Sequence, residues 1–235
     1  MPDSHSARVW AVVPAAGIGQ RMGTERPKQY LELAGRTILE HSLARLADHP
    51  MIHAVQPVIR DDDPVWPGVR ERLADRENVL AAASGGDERQ ESVANGLKAL
   101  DNLGPEDLVL VHDAVRPCIR GLEIDAVIGA AREGSGAILA VPVADTLKRV
   151  NSDGQIEATV DRKPLWRAQT PQVFPAEKLA GALDRAMAGD APATDEAMVM
   201  EQAGYRVRVV PGREDNLKIT QPEDLALAAT VLEAQ

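Results

Sequence analysis

The sequence is poor in several things, and each shortage removes a class of function. It holds one cysteine, Cys118, in 235 residues. That excludes an internal disulfide and a cysteine-built zinc cluster, and it suits a reducing compartment. Aromatic residues make up 3% of the chain, so a core has to be built from Val, Leu, Ile and Ala. No apolar run approaches the roughly 20 residues that span a bilayer, and the opening MPDSHSAR lacks the apolar stretch of a signal peptide. We therefore expect no membrane partner and a cytoplasmic location. Basic residues are in deficit: the net charge of -10 argues against an extended nucleic-acid surface. A local cationic pocket for a small anion stays open. No G-x-x-x-x-G-K-[ST] loop, no H-E-x-x-H and no Ser–His–Asp order occurs, so the usual nucleotide-triphosphatase, zinc-protease and hydrolase signatures are missing.

What is present begins with Val9 to Leu33, VWAVVPAAGIGQRMGTERPKQYLEL. An apolar run ends at Pro14, and Gly17, Gly19 and Gly23 follow, interleaved with Arg21, Arg26 and Lys28. A buried strand running into such a loop lets backbone N–H groups approach a phosphate while cations close over it. It is not a dinucleotide fingerprint, because the third glycine would fall at position 22, which is Met22.

Short Val-rich runs recur at 9–13, 54–60, 78–83, 107–113, 137–143 and 206–211. Helical spacing fills most of the intervals. Thr37 and Glu40 form a capping box for a helix to about Asp48, and Asp87 to Gln90 opens a similar one. Residues 122–132, 176–188, 194–203 and 222–233 also read as helices, with Gly204 closing the third of these. Alternating strands and helices predict an α/β fold with a mostly parallel sheet covered on both faces. Ligands of such sheets sit at the carboxyl ends of the strands. From Val141 to Phe174 the alternation breaks: two extended runs flank Asn151-Ser-Asp-Gly154, which predicts a β-hairpin. With few large apolar residues of its own, that hairpin needs something to pack on, such as a second subunit.

Four strand ends then carry chemistry. The glycine loop is the first. The second is Gly85-Gly-Asp-Glu-Arg-Gln-Glu-Ser92, open enough for close backbone approach. The third, His112-Asp-Ala-Val-Arg116, delivers Asp113, which can either hold a Mg²⁺ bridging phosphates or pair with Arg116. His112 and Cys118 read as structural. The fourth is Gly212 to Thr220, with Asp215 and Lys218. Cations with one or two carboxylates and no protein nucleophile suit phosphoryl or nucleotidyl transfer.

The ordered set PAAGIGQRM, PKQY, GGDERQES, VHDAVRPC, VPVADTLKRV, VDR, AQTPQVF, ATDEA and GREDNLKIT resembles the 2-C-methyl-D-erythritol 4-phosphate cytidylyltransferases over roughly residues 8–232. The resemblance implies a single Rossmann-like nucleotidyltransferase domain over 8–235, with a β-arm at 142–170 that embraces the other subunit of a homodimer. It implies CTP and methylerythritol phosphate as substrates, with Mg²⁺ as cofactor. Arg21 and Lys28 match the pair that stabilises the pentacoordinate α-phosphate. Pro14, Ala15, Ala16, Gly17, Gly19, Gly85, Gly86, Asp87 and Ser92 match the nucleotide pocket. Asp113 matches the carboxylate near metal and substrate. Arg116, Thr146, Arg162, Thr170 and Lys218 match the alcohol-phosphate site; Arg162 and Lys218 are the matches that orient its phosphate. Glu214 and Asp215 both remain candidates for a second metal carboxylate. A ribitol 5-phosphate cytidylyltransferase and a catalytically silent nucleotide-binding regulator are the alternatives. The end at Gln235 leads us to expect no fused cyclodiphosphate synthase.

Overall fold

Alternation in the first strand fixes the architecture. In β1 (Val9–Pro14), Val9, Ala11 and Val13 enter one apolar cluster, while Trp10 and Val12 enter another. Side chains of a strand point alternately to opposite faces, so both faces of β1 are buried. β6 (Leu108–Val111) divides in the same way: Leu108 and Leu110 to one side, Val109 and Val111 to the other. This is a computed structural model, and it describes residues 7–17, 27–189 and 193–235.

Further strands are β4 (Ile52–Ile59), β5 (Ala83–Ser84), β7 (Ala137–Pro142), β10 (Trp166–Pro175) and β11 (Arg208–Pro211). They complete a seven-stranded sheet of order β11-β7-β10-β6-β1-β4-β5. Every pairing is parallel except those of β10, which runs antiparallel between β6 and β7. On one face lie α1 (Ile38–Ala47), α2 (Trp66–Arg72) and α4 (Gly121–Arg132); on the other lie α3 (Arg89–Lys98), α5 (Ala176–Met187) and α6 (Glu196–Gln202). A third cluster holds α7 (Glu223–Glu233) against Leu33, Ile38, Val115 and Ile219. A two-strand ribbon, β2 (Glu32–Leu33) and β3 (Arg36–Thr37), leads into α1.

The expected helix signals fare unevenly. At α1 the capping box is complete: Glu40 N–H donates to Thr37 Oγ1 at 3.2 Å, and Thr37 N–H donates to Glu40 Oε2 at 2.8 Å. At α3 it is not. Glu88 takes the cap position without a side-chain cap bond, and Asp87 N–H donates to Glu91 at 2.9 Å. Gly204 does close α6, at φ +85°. Its N–H reaches Glu201 O and that of Tyr205 reaches Met200 O, a paired closure that needs the left-handed residue.

Two expectations need correction. The run at 78–83 yields only an isolated bridge from Val79 and the two residues of β5. The arm is also smaller than 142–170. Its free part is β8 (Leu147–Val150) paired with β9 (Ile156–Val160), while Trp166 to Ala168 already belong to the central sheet through β7. Among the described residues no helix is long and apolar enough to cross a membrane.

Candidate active site

The chain passes from β1 through α1 to β4 on one side, and later returns to lay β6 on the other side of β1. A crevice opens where the order reverses, at the carboxyl ends of those strands. Two adjoining cavities occupy it. The larger, about 610 Å³, is lined by Pro14 to Gly17, Lys28, Gly85 to Asp87 and Ser92. The smaller, about 170 Å³, is lined by Arg116, Gln169, Thr170, Gln172, Thr194 and Asp195. Arg89, Asp113 and Lys218 line both.

The glycine loop is held by groups that the sequence did not flag. Gln29, nearly fully buried, donates from Nε2 to Ala15 O at 2.7 Å and to Gly17 O at 3.0 Å. Two carbonyls that would repel an anion are thereby tied into the protein. Gly85 is required by close approach: a Cβ there would lie 2.2 Å from that of Ala16. Ser92 Oγ accepts from Gly86 N–H at 3.0 Å, so its first task is to shape this turn. Gly19 and Arg21 lie outside the described residues.

The shared wall is a knot of charge. Asp113, 7% exposed, meets Lys218 Nζ at 3.0 Å and Arg89 and Arg116 at 3.3 Å each. Burial pushes its carboxyl up, but the charges of Arg89, Lys218 and Arg116 outweigh burial and hold it well below the usual carboxylate range. Arg116 also donates to Asn216 O at 2.7 Å, and Asn216 Nδ2 donates to Thr170 O at 3.0 Å. A register shift between Ala168 and Gln172 in β10 brings Thr170 to this wall.

His112 stands behind it, fully buried. Burial pushes its pKa down to about 4, which leaves the ring neutral at pH 7. Arg116 O, 3.0 Å from Nε2, can only accept, so Nε2 carries the proton. Nδ1 therefore accepts from the Thr170 hydroxyl at 3.1 Å, and Thr170 Oγ1 accepts from Asp113 N–H at 3.0 Å. The structural reading of His112 holds: it fixes the rotor of Thr170. Cys118 is likewise inert, its thiol raised by burial to about 11.

Arg89 and Glu196, like Gln29, are site residues that sequence reasoning missed. Arg89 Nη1 and Nη2 donate to the two carboxylate oxygens of Glu196 at 2.5 and 3.1 Å. Conversely, Thr146 and Arg162 are not brought to the wall within this chain. Both are exposed on the arm; Arg162 donates to Ala144 O, and neither lines either of the two cavities. Glu214 pairs with Arg167, and Asp215 with Arg120 and Arg213; neither faces either cavity. Among the described residues no three His, Cys, Asp or Glu side chains gather as a metal site. Such a wall can hold two anions side by side. Any divalent ion in it would take most of its ligands from those anions and water, with Asp113 the buried carboxylate that faces both cavities among the described residues.

The family model for 2-C-methyl-D-erythritol 4-phosphate cytidylyltransferases matches residues 9–234. A protein of that name from Tolumonas auensis is 50% identical over 226 residues, 96% of each chain. A crystal structure of a 4-diphosphocytidyl-2C-methyl-D-erythritol synthase superposes with a TM-score of 0.83 at 38% identity, covering 97% of this chain and 99% of that one. The 2-C-methyl-D-erythritol 4-phosphate cytidylyltransferase of Francisella tularensis gives 0.81 at 31% identity, over 96% and 100% of the two chains.

Proposed function

The chain belongs to the 2-C-methyl-D-erythritol 4-phosphate cytidylyltransferase family, and from that premise we propose how its residues carry out the transfer. The enzyme joins CTP and 2-C-methyl-D-erythritol 4-phosphate into 4-diphosphocytidyl-2-C-methyl-D-erythritol and pyrophosphate, a step of isoprenoid precursor synthesis. The observation that carries the reading is the pair of cavities sharing one charged wall. CTP takes the larger, with its triphosphate against Pro14 to Gly17, Lys28, Gly85 to Asp87 and Ser92. The alcohol phosphate takes the smaller, beside Asp113, Arg116, Thr170 and Lys218.

The nucleophile is a phosphate monoester whose second pKa is about 6, so it is mostly a dianion at neutral pH and needs no general base. One of its oxygens forms the new bond to the α-phosphorus, the α–β bridging bond breaks, and pyrophosphate leaves with that electron pair. The obstacle is repulsion between two anions. Arg21, Lys28, Arg162 and Lys218 lower it and hold the in-line geometry. Asp113 would hold a Mg²⁺ beside the phosphates, and the ion would supply charge neutralisation for the triphosphate.

Residues 8–235 act as one nucleotidyltransferase domain, and the β8–β9 arm reaches a second copy. Support comes from its exposure: Val150 and Ile156, cross-strand partners, are 53% and 65% exposed. Arg162 and Thr146 would then complete the partner's site. The single buried thiol of Cys118 suits a cytoplasmic enzyme. The test is pyrophosphate release from CTP with methylerythritol phosphate or ribitol 5-phosphate as acceptor. Turnover with the first and little with the second is expected. Preference for ribitol 5-phosphate, or release with neither, would overturn the assignment.

A further inference from the structure

A buried carboxylate that touches neither cavity lies directly behind their junction. Glu196, the first residue of α6, is 1% exposed and lines neither cavity. Both its oxygens are used on Arg89, at 2.5 and 3.1 Å. The same guanidinium reaches Asp113 Oδ1 at 3.3 Å and faces both cavities. Glu196 is itself firmly seated. Gln172, on β10, accepts from Ala197 N–H at 2.9 Å and donates to Asp195 at 2.9 Å, and Asp195 caps α6 through Met198 N–H at 2.9 Å.

Stability gives no reason for this pair, since a buried ion pair seldom outperforms apolar residues of the same shape. Position does. Arginine has a long flexible stem, and a two-point pair with a carboxylate fixes the plane of its fork. Without Glu196, Arg89 would be free to turn wholly onto Asp113 and join Lys218 and Arg116 there, away from the two substrate anions.

We infer that Glu196 is a positioning residue for the transfer: it holds the Arg89 guanidinium at the junction, where the triphosphate and the incoming phosphate meet. The inference rests on the two-anion reading of the cavities. Ordering Arg89 before the substrates arrive leaves less to arrange when they do.

The experiment is steady-state pyrophosphate release by the full chain with Glu196→Gln, Arg89→Gln and the double variant. Glu196→Gln is expected to lose about tenfold or more in kcat, with KM for CTP moving less than about threefold. The double variant is expected to fall no further than Arg89→Gln alone, because Glu196 acts only through Arg89. Unchanged kcat in Glu196→Gln with a lowered Tm, or losses that multiply in the double variant, would overturn the inference and leave a merely structural tie. Should Glu196→Gln fail to fold, Arg89→Lys decides. It keeps the charge but cannot make the two-point pair, so a similar loss in kcat is expected and wild-type kcat would overturn the inference. Failure of the transfer reading would show separately, as no cytidylyl product from the unsubstituted chain, and would overturn both.

Discussion

The wall between the cavities and the β8–β9 arm are both rich in charge, yet they are built in opposite ways. At the wall every charge is answered from within the chain: Asp113 by three cations, Arg89 by two carboxylates, Arg116 by Asp113 and a backbone carbonyl. On the arm most side chains are exposed, and Arg162 donates to Ala144 O. A wall so tied keeps its geometry without substrate. An arm of two exposed strands is marginal by itself and gains a reason to exist only against another surface. One region is preorganised, then, and the other, on the proposed reading, is an offer to a partner.

The sharpest way to break this contrast is at the wall. Lys218 contacts Asp113 but is not needed to satisfy it, since Arg89 and Arg116 remain. Lys218→Ala, like Lys28→Ala, should therefore fold and yet lose about 10²–10³-fold in kcat, the usual effect of removing one preorganised charge from a developing anion. Steady-state kinetics with both substrates varied would check it. A rise in KM with kcat intact would mean that these lysines bind substrate without favouring its transition state.

Next in size is the arm. Arg162→Ala is expected to cost roughly tenfold or more in kcat. Mixed with Lys28→Ala after subunit exchange, it should recover activity, because a hybrid dimer holds one site with its own Lys28 and the partner arm's intact Arg162. Random exchange would give about a quarter of wild-type activity. No recovery after exchange verified by mass spectrometry would place Arg162 in the site of its own chain, and the arm would lose its role.

How much of each region could be read beforehand follows the same division. Local signals survived: the alternation of β1, the Thr37–Glu40 cap and the Gly204 closure are short-range patterns. Residues placed at strand ends also come together, Asp113 with Arg116, Thr170 and Lys218. What failed depended on distance. Nothing in Trp166 to Pro175 says that it leaves the hairpin to run antiparallel between β6 and β7, because periodicity does not name a strand's neighbours. α2 was missed because Pro67 and Gly68 make its first turn read as loop. Glu196 was missed because a glutamate is expected in water; its burial makes sense only beside Arg89, 107 residues earlier. Gln29, by contrast, sits next to Lys28, and a buried amide following a glycine loop could have been suspected as its clamp.

The smallest expected effect sharpens the contrast most cleanly. Ile156→Ser removes apolar surface from a residue that is 65% exposed and paired across the arm with Val150. Within one chain such a change should move unfolding by no more than about 0.5 kcal/mol. If the arm lies against a second copy, the same change should weaken association, by about tenfold where half or more of the side chain is covered, since burying an isoleucine is worth about 1.5–3 kcal/mol. Chemical denaturation below the dimer's dissociation constant and sedimentation above it would separate the two quantities. A large loss of single-chain stability would mean that the arm packs on its own chain. Unchanged association would mean that it packs on neither, and the preorganised wall would then have to carry the transfer without a partner's arginine.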